Sequence, residues 1–401
     1  MRLRKHITIG LSYFMMAAVL GVVLRAMRTI QIPVNYRFLV HTHSHIALLG
    51  WVYIALTTLL FGLYLNQQKL DRKYKRIFWF TQITLIGMLI SFPIQGYALF
   101  SIIFSTLFLI ASYWFTYFFS KNVSKAQKAN NSYKCIKWAL AYMVISSVGP
   151  WALGAIMGTL GAESVWYRLA IYFYLHFQYN GWMVLALVGA LLYGIEQGGL
   201  LIPKKRFNLF FWSMNIGIVL SFFLSTLWTR PTVLFYVLGG IGALFQICAF
   251  GFLVWIILGF KHLQNNLFSA LQRRMLRIVT LFYGVKILLQ LFSAFPYFSN
   301  LVATVIDFTI GYLHWTFLGV VTLGLFLLLD FFKLLQLDRR GYYIYLIGFV
   351  GTEILIFYKG IMAWQRWPIF DAYYEVLAVV SLLLPLALLY ILWTNIKTDW
   401  V

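Results

Sequence analysis

The sequence predicts an all-α polytopic membrane protein of about 12 transmembrane helices, in a pseudo-threefold arrangement of four-helix units. Composition, the length of the apolar runs and the placement of charge all point there. Of the 401 residues, 62% are hydrophobic and only 10% are charged, with a mean hydropathy of +0.83. Soluble domains carry roughly 25% charged residues, so this chain lacks the polar side chains to cover a water-facing surface. Lipid as solvent removes that difficulty.

Apolar stretches near the length of a bilayer crossing fall at about 7–24, 38–65, 77–95, 97–119, 136–160, 167–194, 207–228, 232–259, 275–297, 301–331, 342–362 and 372–396. Within 77–119 the only turn signal is Pro93 with Gly96. The first run follows the basic start Arg2-Leu3-Arg4-Lys5-His6 and has the look of a signal peptide. It is read as a retained span, because the charge alternation needs it.

The net charge of +22 suggests nucleic acid at first sight. The basic residues, however, form short clusters between apolar runs, the pattern of orientation signals facing anionic lipid. With a cytoplasmic N-terminus, 24 Lys and Arg fall inside. Outside are Arg25, Arg28, Arg37, Arg168, Arg230, Lys359 and Arg366, and Lys286 lies within a span. Both termini are therefore expected in the cytoplasm, with the chain a single integral domain of pseudo-repeats at roughly 1–120, 121–260 and 261–401. The cell membrane, as in a bacterial inner membrane, is the expected location. Cys135 and Cys248 lie in unrelated contexts, which predicts neither a disulfide nor a thiolate metal site. No phosphate-binding glycine loop, nucleophile elbow or Cys-x-x-Cys is present.

The chemistry is concentrated in histidine. His6 and His262 fall in segments expected at the cytoplasmic surface. The other five are His41, His43 and His45 in span two, His176 in span six and His314 in span ten. Each lies in the first half of a span running from outside to inside, which puts all five in the outer half of the bilayer. His45, His176 and His314 each begin His-x4-Gly, with Gly50, Gly181 and Gly319. Both later copies read Tyr-Leu-His, at 174–176 and 312–314. This is the mark of a four-helix unit used three times, its second helix presenting an imidazole. The glycine either admits a close neighbouring helix or leaves room for a flat ligand.

A lone membrane histidine often only hydrogen-bonds a neighbouring helix. Five at one depth on three evenly spaced helices point to a metal or cofactor. Neutral imidazole suits haem iron, copper and zinc. His41 and His45, at i and i+4, share a helix face, while His43 points elsewhere and serves a ligand or a polar partner equally well. Asp307 is expected to pair with Lys286 or to orient a ligand histidine. Glu353 and Lys359, at i and i+6 and not facing each other, serve either a proton path or local polar pairing, and Glu163 lies in an outer loop. The outer arginines suit carboxylates such as haem propionates, or simply snorkel.

Histidines in spans two, six and ten of a twelve-span, threefold chain resemble the catalytic subunit of haem–copper oxidases and nitric oxide reductases. The resemblance implies that His41 or His45, together with His314, clamps a low-spin haem, expected to be b-type. It implies that His176 ligates copper or non-haem iron, and that the electron donor is a quinol or cytochrome c. The chain departs from that pattern in several places. Span seven has no histidine pair, Tyr312 stands where span ten carries its second histidine, and Asn180 stands four residues after His176. A conventional proton-pumping oxidase is therefore not expected. The chain looks more like the reduced, haem- and copper-binding membrane proteins of nitric oxide defence (the NnrS-like type), an oxidoreductase lacking the full three-histidine copper site. The rival readings are a copper or zinc carrier lined by His41, His43, His45, His176 and His314, and a helper protein whose histidines only hold helices together.

Overall fold

The computed structural model describes residues 3–260 and 267–398. Among these, 85% are helical and none lies in a strand. Twelve helices among the described residues are long and apolar enough to cross a bilayer: α1 (Leu3–Ala26), α2 (Tyr36–Tyr64), α3 (Gln68–Gln95), α4 (Leu99–Asn122), α5 (Asn131–Thr159), α6 (Val165–Gln197), α7 (Lys204–Thr229), α8 (Val233–Leu258), α9 (Ala270–Phe292), α10 (Ile306–Phe331), α11 (Arg339–Gln365) and α12 (Tyr373–Lys397). In hydrocarbon a backbone must satisfy its polar groups within the segment, and the helix does so. The expected runs each correspond to one of these helices. His262 lies outside the described residues.

Several helices begin earlier than their apolar runs. α3 starts at Gln68, so the basic stretch Lys69–Arg76 forms its first turns before the apolar part begins. The α3–α4 turn falls where Pro93 and Gly96 signal it. Gly96 adopts φ +62°, and a Cβ there would lie 2.4 Å from Phe38 Cε1, so only glycine fits the turn. Ser101 then caps α4, accepting from Ala98 N at 2.9 Å and donating to Gly96 O at 2.6 Å.

The chain divides into two compact units, residues 1–123 with 325–401, and residues 124–324. In the first unit α1 packs along α2 and α12. His6, expected at the surface, is instead buried, stacked on Phe78 with ring centroids 3.7 Å apart. Its position at the start of α1 carries the ring into the α3 aromatics. In the second unit α7 runs against α8, and α5 against α6.

The three histidine-bearing helices are the most buried in the chain. Their apolar windows are 78% (α2), 89% (α6) and 67% (α10) buried, against 56% or less for every other helix. Lipid is as apolar as leucine, so it gives helices no hydrophobic reason to associate. Close packing and polar contacts must do so, and the histidine helices carry both.

Candidate functional site

The α-helix gives way to π-helical turns at the same point in all three repeats. These run Ile46–Tyr53 in α2, Phe177–Met183 in α6 and Trp315–Thr322 in α10. Each begins at the residue after His45, His176 or His314. Runs of π-helix are rare and concentrate at functional sites, so three of them behind three matched histidines extend the repeat from sequence to backbone.

The glycines within these turns settle one alternative. A Cβ on Gly50 would stand 2.8 Å from Tyr13 Cβ, and one on Gly181 would stand 2.6 Å from Tyr142 Cβ. The space beside each glycine is filled by a tyrosine of the helix that precedes it in the same four-helix unit, α1 or α5. Close helix approach, not room for a flat ligand, is what these two glycines provide.

In the first unit, His45 and His41 face the turn after α3. His45 Nδ1 lies 2.8 Å from the His41 carbonyl oxygen. A carbonyl only accepts, so Nδ1 carries the proton and Nε2 presents its lone pair. That lone pair accepts from the Tyr97 hydroxyl at 3.1 Å. Phe92 and Tyr97 wall the two imidazoles: His45–Phe92 centroids are 4.4 Å apart and His41–Tyr97 centroids 4.7 Å. Tyr97 is 40% exposed, so its hydroxyl can withdraw without opening the core. Sequence reasoning missed Phe92 and Tyr97. The signal was present only as an aromatic beside the Pro93–Gly96 turn.

His43 points away from this pair, as its spacing requires. Its Nδ1 donates to the Ala17 carbonyl of α1 at 2.8 Å, and the ring lies against Gly21. The hydrogen bond to α1 makes it a helix-to-helix fastener. Nearby in this unit, Arg25 donates to the Ser381 hydroxyl and lies within electrostatic reach of Glu353. Arg25 is thus drawn into the protein rather than left at the surface.

In the second unit, His176 has both ring nitrogens engaged. Nε2 donates to the Ile218 carbonyl at 2.8 Å, and Nδ1 accepts from Asn180 Nδ2 at 3.3 Å. Asn180 Oδ1 in turn accepts from Lys286, which also donates to Gln290 Oε1 at 2.7 Å. Lys286 is completely buried. The expected Lys286–Asp307 pair is therefore not the one formed, because two amide oxygens lie within reach of the ammonium inside the unit. A metal at His176 would have to displace the buried Asn180 amide from Nδ1 or the Ile218 carbonyl from Nε2.

His314 closes the α-helical part of α10 and is partly buried at the α-to-π junction. Next to it, Trp315 Nε1 donates to the Phe282 carbonyl at 2.9 Å. Among the described residues, no three of His, Cys, Asp and Glu are grouped to hold a metal ion. Cys135 is buried and Cys248 exposed. No protein-family model matches the chain, and no curated protein matches it.

Proposed function

We propose that this is a haem-binding membrane protein in which His45 is an axial ligand of a b-type haem, acting in nitric oxide or respiratory redox metabolism. The observation that carries the reading is the His45 imidazole. Its Nδ1–H is held by a carbonyl and its Nε2 lone pair is turned to a displaceable hydroxyl. Haem iron takes an imidazole through one nitrogen while the other N–H is fixed by such an acceptor. Phe92 and Tyr97 supply the apolar wall that a porphyrin edge needs. Bound haem supplies a one-electron couple and, where a coordination position is open, an iron for a diatomic gas.

Copper has no part in the proposal. His176 has both nitrogens bonded within the protein, and His43 is fastened to α1. The proposal includes a quinol or cytochrome c as electron donor. It places the chain in the cell membrane with both termini cytoplasmic, because that orientation puts 24 basic residues inside and seven outside.

The test is the absorption spectrum of the purified protein, oxidised and reduced, beside His45→Ala and His43→Ala. Wild type and His43→Ala are expected to show a Soret band and sharp reduced bands, and His45→Ala to lose them. A colourless wild type, or unchanged bands in His45→Ala, overturns the assignment. A colourless protein holding stoichiometric copper or zinc favours the metal-carrier reading.

A further inference from the structure

The end of α7, the start of α8 and the short helix Pro296–Thr304 border an open-mouthed cavity of about 370 Å³. All of it lies within the unit formed by residues 124–324. Its wall includes Trp228, Arg230, Tyr236, Ser299 and Asn300, and no Asp or Glu lines it. The size is that of a small-molecule site, roughly 300–1,000 Å³.

The wall is rich in donors. Arg230 Nη2 makes one long bond, 3.3 Å, to Asn300 Oδ1, which leaves most of its five N–H groups for another partner. The same bond occupies the Asn300 oxygen. Trp228 Nε1 is buried without a hydrogen-bond partner. An indole N–H can only donate, and leaving one unmade in the interior is unfavourable. The Arg168 guanidinium carbon lies 4.8 Å from the Trp228 ring centroid, placing a second positive charge beside the indole. Ser299 Oγ donates to the Pro296 carbonyl at 3.0 Å, which leaves its own oxygen as the weak acceptor of the set.

We propose that this cavity binds a single oxyanion group, a phosphate or carboxylate, with Arg230 supplying the charge and the Trp228 N–H a neutral donor. One guanidinium on the wall, a second against the Trp228 ring and an unmade donor, with no Asp or Glu among the lining residues, are arranged for negative charge. The cavity lies at the ends of spanning helices, the level of lipid headgroups. An anionic lipid's phosphodiester and a small soluble anion share the chemistry, and experiment separates them.

The full chain is purified in a maltoside detergent, which carries neither phosphate nor carboxylate. Short-chain phosphatidylglycerol, inorganic phosphate and succinate are titrated separately against the thermal midpoint, and retained lipid is counted by native mass spectrometry. Wild type is expected to be stabilised saturably. A response to the lipid alone assigns the site to a headgroup, and a response to phosphate or succinate assigns it to a soluble anion. Arg230→Gln is expected to weaken the effect on the order of tenfold, the scale of one lost charge-assisted bond. Trp228→Phe keeps the ring and removes only the N–H, so it tests the site even if Arg230→Gln fails to fold. A smaller loss, several-fold, is expected there. Arg366→Gln, at the end of α11, controls for general surface charge and is expected to leave binding unchanged. No anion response in wild type, or wild-type affinity in both Arg230→Gln and Trp228→Phe, overturns the proposal. The absorption spectrum of these variants is expected to stay that of wild type, which keeps this result separate from the haem assignment.

Discussion

Replacing Gly181 with alanine adds one methyl group at a point where the structure leaves no space for it. The new Cβ would stand 2.6 Å from both Cβ and Cγ of Tyr142, about 1 Å inside ordinary carbon contact. Tyr142 cannot readily retreat. Its hydroxyl donates to Asn215 Oδ1 at 3.0 Å, and its ring is stacked on Phe177 with centroids 5.8 Å apart and planes 13° from parallel. Overpacking of this kind costs about 1–3 kcal/mol, and the helix-propensity gain of alanine over glycine returns at most about 1 kcal/mol. The net expectation is a destabilisation of about 1–2 kcal/mol. Gly154, in α5, is the control, since a Cβ there would meet nothing within 4 Å. Gly154→Ala is therefore expected to be neutral or slightly stabilising. Both are compared with wild type by denaturant unfolding in detergent, together with the absorption spectrum. A Gly181→Ala protein as stable as wild type, but spectrally changed, would refute the packing argument and restore the view that the glycine clears space for a flat ligand.

Two further outcomes follow from the same contacts. His176→Ala removes one donor and one acceptor and leaves the Ile218 carbonyl and the Asn180 amide without those partners. The Ile218 bond joins α6 to α7, where hydrogen bonds in membranes average about 0.6 kcal/mol, and the Asn180 bond lies within α6, so a loss of about 1 kcal/mol is expected by the same unfolding assay, with metal content by elemental analysis unchanged. A metal content that drops in this variant at equal haem occupancy would return His176 to a ligand role. Reporter fusions in the 121–135 segment are expected to read cytoplasmic and fusions at Pro231 external, because basic loops stay inside; the opposite pattern would invert the orientation.

The twelve crossings were legible because a bilayer imposes a length, and apolar runs of that length leave little room for another reading. The α3–α4 turn was legible because Gly96 and Pro93 each have a physical reason to break a helix. The π-helical turns were not. Their residues, Ile46–Tyr53 for example, are as apolar as any membrane α-helix, and a local change of period within an all-buried stretch leaves no alternation to detect. The walls of the His45 site were equally hidden. Phe92 and Tyr97 lie on α3 and its turn, about 50 positions downstream of His45, and only the packing of α2 on α3 brings them there. The Lys286 contact was misassigned for a related reason. Opposite charge made Asp307 the obvious partner, whereas the interior satisfied the ammonium with the side chains of Asn180 and Gln290. The Arg25–Ser381 hydrogen bond joins α1 to α12 across most of the sequence, and no local pattern announces it.

His45 and His176 have the same place in their repeats, on the last α-helical residue before a π-helical turn, and the same glycine five residues on. Their side chains nevertheless have different duties. The Nδ1–H of His45 is satisfied by its own helix, and its Nε2 meets a hydroxyl on a partly exposed turn. His176 reaches across to the α7 backbone through Nε2, and its Nδ1 is held by an amide that is itself fixed by a buried lysine. The backbone switch therefore does not by itself make a ligand. It is a property of the repeat that places an imidazole at the same position along its second helix, and the neighbours decide whether a lone pair stays available. Asn180 is the residue that decides it in α6. Its amide N–H fills the His176 lone pair, and its carbonyl oxygen accepts a hydrogen bond from Lys286, so one side chain silences the histidine and solvates the lysine together. Where the second helix of a repeat carries Leu49 instead, four residues after His45, no such amide is present and the imidazole keeps an exchangeable partner.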